Sequence, residues 1–311
     1  MLLPAFGMFA GFARSDLAIP EAMAKAMAIY LMAAIGLKGG VEVSKSGLTE
    51  ALMLAGAAGI ALSFLLPFPA FALLRSVGRL DRTNAAAVAA HYGSVSLVTF
   101  ITANEMLSAS GLAAAGFMVA VLALMETPAI ISSLILAGGG GSAAGDERAS
   151  SRGHLWREVM LNAAVVLLVG AFVIGIIAGE DGFAPIRPVF DTGYKGILCL
   201  FLLDMGLIAA RRLRETRAMT VRLAALAIAM PLVNGLIGVG IGAALALDPG
   251  TAAMLGVLAA SASYIAVPAA MRLALPAADP GIYLSMSLGI TFPFNIVVNI
   301  ALIASVARMI G

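Results

Sequence analysis

Apolar runs of about 20 residues, the length that crosses a bilayer core, recur along the whole chain and are separated by short polar breaks. Read block by block, they predict ten membrane-spanning helices at about 2–13, 18–37, 48–74, 84–103, 111–137, 159–179, 190–210, 219–246, 251–274 and 280–309. The first block is too short to cross alone. It is expected to be either a stubby helix shielded by its neighbours or one that lacks residues at its start. The longest polar connection, "AGGGGSAAGDERASSRGHLWRE" at 137–158, reads as a flexible Gly/Ser linker followed by charge. It divides the chain into a first unit at 1–137, a linker at 138–158 and a second unit at 159–311, with five spans in each unit.

Lys and Arg in the loops orient these spans, because positive charge collects on the cytoplasmic side. One side carries 13, among them Arg75, Arg79, Arg82, Arg148, Arg152, Arg157 and a cluster from Arg211 to Arg222. The other side carries 5, namely Lys38, Lys45, Arg187, Lys195 and Arg308, while Lys25 falls within a span. The bias puts the linker in the cytoplasm and both termini outside the cytoplasmic membrane. An odd number of spans per unit then forces the second unit to be inverted relative to the first. The units also resemble each other. "GFMVAVLALMETPAI" (116–130) lies over "GIYLSMSLGITFPFN" (281–295) at an offset of 165, which also places Ser96 on Ser261 and Val98 on Ser263. "YLMAAIGLKGG" (30–40) resembles "LLDMGLIAA" (202–210), with Gly36 over Gly206 and Leu37 over Leu207. Inverted five-span repeats suit a transporter, since two near-equivalent halves give two near-equivalent states open to opposite sides.

Composition agrees. The chain is 61% hydrophobic and 12% charged, with a mean hydropathy of +1.03, whereas soluble domains carry roughly 25% charged residues. A net charge of +2 spread over loops leaves no basic run for nucleic acid, so the expected surroundings are the lipid bilayer. Cys199 is the single cysteine, which excludes a disulfide framework or thiolate metal cluster, and it reads as a small buried filler. His91 and His154 are far apart and match no metal-site spacing. No resident cofactor or metal is expected beyond a coupling Na⁺.

Two spans have broken composition, and they occupy corresponding positions. The fourth reads "AAHYGSVSLVTFITANE" (89–105) and the ninth "LAASASYIAVPAAMR" (258–272). Small residues and a proline let a helix unwind, which frees N–H groups on one half-helix and C=O groups on the other. In lipid such groups cost several kcal/mol each, so they are tolerated only against protein, water or ligand. The freed N–H groups favour a small anion, and the freed carbonyls can hold Na⁺. Gly, Ala and Ser also line helix interfaces simply for close packing, but two such patches at equivalent positions favour a site.

Intramembrane polar groups are the next candidates. Glu126, beside Thr127 and Pro128 in the fifth span, suits cation coordination, proton carriage or an interhelical hydrogen bond. Asp204 in the seventh span reads as structural or as a coupling residue. Asn295 and Asn299 in the tenth read as polar links between helices or as site residues. Glu21 and Lys25 read as a helical ion pair, and His91 with Tyr92 as a packed, hydrogen-bonded pair. A membrane-embedded serine hydrolase finds no support, because no base stands at a recognisable spacing from Ser94 or Ser261.

"SDLAIPEAMAKAMAIYLMAAIGLKGGVEV" (15–43), "AASASYIAVPAAMRLALPAADPGIY" (259–283) and "LMETPAI" (124–130) resemble the sodium-dependent bicarbonate transporters of the cyanobacterial SbtA type. The motifs come in family order along nearly the whole chain. The resemblance implies an all-α polytopic membrane protein of ten transmembrane helices in two inverted repeats, with gate and core domains and with helices 4 and 9 broken and crossing. It also implies a homotrimer, Na⁺-coupled bicarbonate import and a PII-like regulatory protein on the cytoplasmic side. Carried onto this chain, the anion cradle comprises Gly93, Ser94, Ser96, Thr99, Ser261, Ala262 and Ser263, with Tyr264 beside it. The coupling groups are Glu126, Thr127, Asp204 and Asn295, with Glu126 where the family usually has Asp. The chain departs from the family at Tyr264, Ala266 and Val267, where members commonly have an Asp and then Ser-Gly, and at Leu97 and Val98, where they have Gly-Ser. Transport of another small monocarboxylate, H⁺ coupling or Na⁺/H⁺ exchange, and a non-transporting sensor or scaffold are the alternative functions.

Overall fold

In the computed structural model, residues 3–47, 49–126, 128–137, 163–215, 219–264 and 266–310 are described. Their regular structure is helical, with no strand among the described residues. The first half comprises α1 (Leu3–Phe12), α2 (Glu21–Ser46), α3 (Glu50–Leu65), α4 (Pro67–Ser76), α5 (Arg82–Gly93), α6 (Leu97–Ala109), α7 (Met118–Leu124) and α8 (Pro128–Leu136). The second half comprises α9 (Ala163–Phe183), α10 (Gly193–Glu215), α11 (Val221–Ala244), α12 (Pro249–Ala260), α13 (Ala266–Ala274) and α14, a long helix over Pro280–Ile310. Among the described residues, eight segments are long and apolar enough to cross a membrane, while α1 and α12 are shorter. The chain is a multi-pass membrane protein. The linker at 138–158 and Thr127 lie outside the described residues.

Local chemistry sets where helices begin. Thr49, Asp81, Ser96, Thr220, Asp248 and Asp279 open α3, α5, α6, α11, α12 and α14, each accepting a backbone N–H from the first turn. Proline sets the breaks that the hydrophobic pattern had left as continuous spans. Pro67 starts α4 where the third span divides, and Pro128 starts α8 where the fifth divides. In the tenth span the chain stays helical but widens into π turns at Ser285–Thr291 and Asn295–Asn299, on either side of Pro293.

Two long crossings carry the periphery, α2 on α9 and α1 on α10. Both depend on missing side chains. A methyl group at Gly175 would stand 2.3 Å from the Leu37 carbonyl oxygen and 3.1 Å from the Gly40 Cα. One at Gly11 would stand 2.6 Å from the Ala210 Cβ and 3.2 Å from the Leu207 carbonyl oxygen. Without a hydrophobic force between helices in lipid, close backbone approach of this kind supplies the packing energy. Leu37 and Leu207 are partners in the alignment of the halves, so one contact occurs twice. A second duplicated contact ties the start of each broken span to the opposite half. Asn84, in the first turn of α5, accepts the Asp279 N–H at 2.7 Å, and Thr251, in the first turn of α12, accepts the Ala115 N–H at 3.0 Å.

The broken spans are the interior. Ala85–Gly93 of α5 and Gly250–Ala260 of α12 are buried throughout. The outer flanks are apolar and exposed, as at Phe9 on α1 and Ile177 on α9. Cys199 belongs to such a flank and is exposed rather than buried, because a side chain suited to a protein core is equally suited to lipid. Glu21 and Lys25 form the expected helical ion pair, 3.7 Å apart and solvent-facing.

Two outcomes follow. Gly175→Val forces α2 and α9 apart and should lower the thermal midpoint in detergent by at least about 3 °C. Gly170→Ala, with open space around it, should leave it unchanged or raise it. The Asn84 backbone N–H beside Asp81 holds the Asp81 carboxyl below its ordinary value of 3.8. Replacing Asp81 with Ala should therefore cost about 1 kcal/mol in unfolding measurements at pH 7 and pH 5. That difference should disappear only as pH falls below 3.8 and through the lowered native value, where the carboxylate that caps α5 becomes protonated.

Candidate functional site

The site lies where the two broken spans meet. At the end of α5 the Ser94 N–H donates to Ala90 O at 3.1 Å, and the chain then runs extended to Ser96, which caps α6. In the other half α12 ends at Ser261, also extended, whose N–H donates to Leu258 O at 3.2 Å. A polar-small sequence folds this way because serine satisfies freed backbone groups at little steric cost. The Ser96 hydroxyl accepts the Thr99 N–H at 3.2 Å, and the Ser263 hydroxyl accepts the Val267 N–H at 3.4 Å.

The two breaks are joined directly. The Ser96 N–H donates to the Ser261 hydroxyl at 3.1 Å, and the Ser263 N–H donates to His91 O, a carbonyl in the last turn of α5, at 2.9 Å. Ser94, Ser96, Thr99, Ser261, Ala262 and Ser263 are each no more than 4% exposed. Six of the carried-over cradle residues are therefore in one enclosed cluster. Gly93 adjoins it in a different role. A methyl group there would stand 2.4 Å from Pro67 Cγ, so this glycine admits α4 against α5. Tyr264 is buried over the cluster, its hydroxyl beside Ser96 and its ring edge-on to Phe292 with centroids 5.5 Å apart.

Chemically the cluster is a set of N–H and O–H donors whose present acceptors are neutral oxygens. Hydrogen bonds to an anion are shorter and roughly twice as strong as neutral ones. A serine hydroxyl that now accepts an N–H can rotate and donate. An incoming anion therefore has both the donors and an energetic reason to replace these internal bonds.

A third break reaches the same place. Between α7 and α8 the Ser94 hydroxyl donates to the Glu126 backbone carbonyl at 3.2 Å, which brings the half-buried Glu126 beside the cradle. The neighbouring Met125 carbonyl accepts from Ser63 at 2.7 Å, and the Ser63 hydroxyl accepts the Ala129 N–H at 3.2 Å. Asn295 is also at the site. Its amide donates to Ala260 O, at the end of α12, at 2.9 Å, and its side-chain oxygen accepts from Asn299 at 2.9 Å. Asp204 is placed elsewhere. It is buried on α10, whose main neighbours are α1, the first π turn of α14 and α2, and one of its carboxyl oxygens makes no hydrogen bond.

His91 and Tyr92 are both fully enclosed, but they bond outward rather than to each other. His91 donates through Nδ1 to Ala87 O at 2.7 Å and stacks on Tyr283. Tyr92 lies 2.7 Å from Thr291 Oγ1, which itself donates to Ala227 O at 2.6 Å. Tyr92 must therefore be the donor in its pair. Ser63 and Thr291 carry this support, and sequence reasoning passed over both, since a lone hydroxyl in an apolar helix has no spacing to mark it. A signal for Thr291 did exist. Pro231 lacks an N–H, so the carbonyl four residues back, at Ala227, needs a donor from another helix.

No curated protein matches the chain. The family model described as the Na⁺-dependent bicarbonate transporter superfamily matches residues 1–308, a range that takes in both broken spans and every residue of the enclosed cluster. On that match, the chain belongs to the Na⁺-dependent bicarbonate transporter superfamily.

Proposed function

We propose that this transporter imports a small anion, bicarbonate above others, by alternating access and with Na⁺ as the coupling ion. One observation carries the reading. The hydrogen bond from Ser96 N–H to Ser261 Oγ joins residues 165 positions apart, the same offset that aligns the two halves. A residue that touches its own counterpart lies near a two-fold axis, and a site on that axis is presented alike to either side of the membrane.

The duplicated contacts at Gly175 and Gly11, and at Asn84 and Thr251, support the inverted repeat in the same way. The bias of Lys and Arg supports a cytoplasmic linker and outward termini in the cytoplasmic membrane. For the cation, hard oxygen donors are at hand in the Glu126 backbone carbonyl and the Ser94 hydroxyl, and the same residue, Glu126, carries a carboxylate. Proton coupling is the second reading, favoured by Glu126 being the acidic residue whose backbone joins the cradle while Asp204 lies on α10.

Reconstituted protein should take up labelled bicarbonate saturably, and an inward Na⁺ gradient should stimulate that uptake. Absence of saturable, gradient-dependent flux overturns the proposal for this substrate. A proton gradient that replaces the Na⁺ gradient selects the second reading. The double variant Ser261→Ala with Ser263→Ala should lose at least about tenfold in apparent affinity, the equivalent of one charge-assisted hydrogen bond. Glu126→Gln should abolish stimulation by the cation gradient while leaving anion exchange measurable in counterflow.

A further inference from the structure

Tyr264 stands out within the cradle because its hydroxyl is enclosed and makes no hydrogen bond of ordinary geometry. Its counterpart in the first half, at the offset of 165, is Thr99, and there the hydroxyl is fully employed. Thr99 donates both its N–H and its O–H to the Ser96 hydroxyl, at 3.2 and 3.0 Å. A serine oxygen has two lone pairs, and these two bonds occupy both.

The Ser96 oxygen therefore cannot accept from Tyr264, although the two hydroxyls are side by side. Ser96 can still donate to the phenol oxygen, but the Tyr264 O–H itself is left without an acceptor. Burying such a donor in a membrane interior is costly. The hydroxyl has no hydrogen-bond partner there. Neighbouring donors without an acceptor are chemically a demand for an anion, and the phenol supplies the strongest neutral O–H in the cluster. The ring has a separate consequence. It is packed edge-on against Phe292 and buried, so its bulk fills the space beside Ser96.

We infer that Tyr264 is an anion-binding and size-selecting residue: its hydroxyl donates to the bound anion beside that of Ser96, and its ring restricts the cradle to an oxyanion about the size of bicarbonate. This rests on the cradle proposed above and adds to it the class of ligand admitted. It also assigns the selection to the second half of the chain, since Thr99 is too small to wall off its side.

The test is thermal stabilisation of the full-length protein in detergent by bicarbonate, acetate and butyrate. The wild-type protein should respond to the first two and not to butyrate. Tyr264→Phe keeps the ring on Phe292 and should fold normally. It should raise the half-saturating bicarbonate concentration about tenfold and still exclude butyrate. Tyr264→Leu removes the ring while keeping an apolar side chain, and should admit butyrate. Unchanged half-saturation in Tyr264→Phe, together with exclusion of butyrate by Tyr264→Leu, overturns the inference. If Ser261→Ala abolishes the bicarbonate response at the same time, the cradle stands without Tyr264. A wild-type protein that responds to none of the three anions overturns both.

Discussion

The structure depends on keeping broken helices inside a membrane protein without orphaned backbone groups. An unwound turn in hydrocarbon leaves N–H and C=O groups that cost several kcal/mol each. Here the two breaks satisfy each other. The Ser96 N–H goes to Ser261 Oγ and the Ser263 N–H to His91 O, while Asn295 takes the Ala260 carbonyl. The surrounding helices are arranged to hold these breaks in register. Both broken spans begin at an Asp cap, and each first turn is tied to the start of a span from the other half.

That arrangement explains why the most polar segments are also the most deeply buried. Ser94 and Ser96 in the break after α5, and Ser261 and Ser263 in the break after α12, are enclosed, whereas Phe9, Ile177 and Cys199 lie on outer flanks. Lipid does not penalise apolar exposure, so the interior is organised around hydrogen bonds and close contacts. The bonds at the crossing are neutral and can be exchanged for stronger ones to an anion.

The polar links outside the crossing are of a different kind. Tyr92, Thr291 and the Ala227 carbonyl form a chain with fixed donor direction, and Asn299 bridges Asn295 and Pro231 O. The first supplies the donor that Pro231 denies to the Ala227 carbonyl, and the second adds a side-chain donor to a carbonyl within α11. They tie α5, α11, α12 and α14 to one another, so the crossing is supported as a unit.

The all-helical, membrane-crossing character of the chain and the interruption of its fourth and ninth spans were legible in the sequence. The bilayer imposes a length of about 20 apolar residues per span, and a break needs small, hydroxyl-bearing or proline residues whatever surrounds it. Ser96 could even be matched to Ser261 by offset alone. Direction was not legible, because hydrocarbon and protein core are equally apolar and hydrophobicity marks no inward face. Only the tertiary structure turned Cys199 outward, placed Asp204 away from the cradle and Glu126 beside it, and gave the space above Gly93 to Pro67. Only there did Ser63 and Thr291 acquire roles, since a hydrogen-bond partner is fixed by the few ångströms between helices rather than by spacing along one of them.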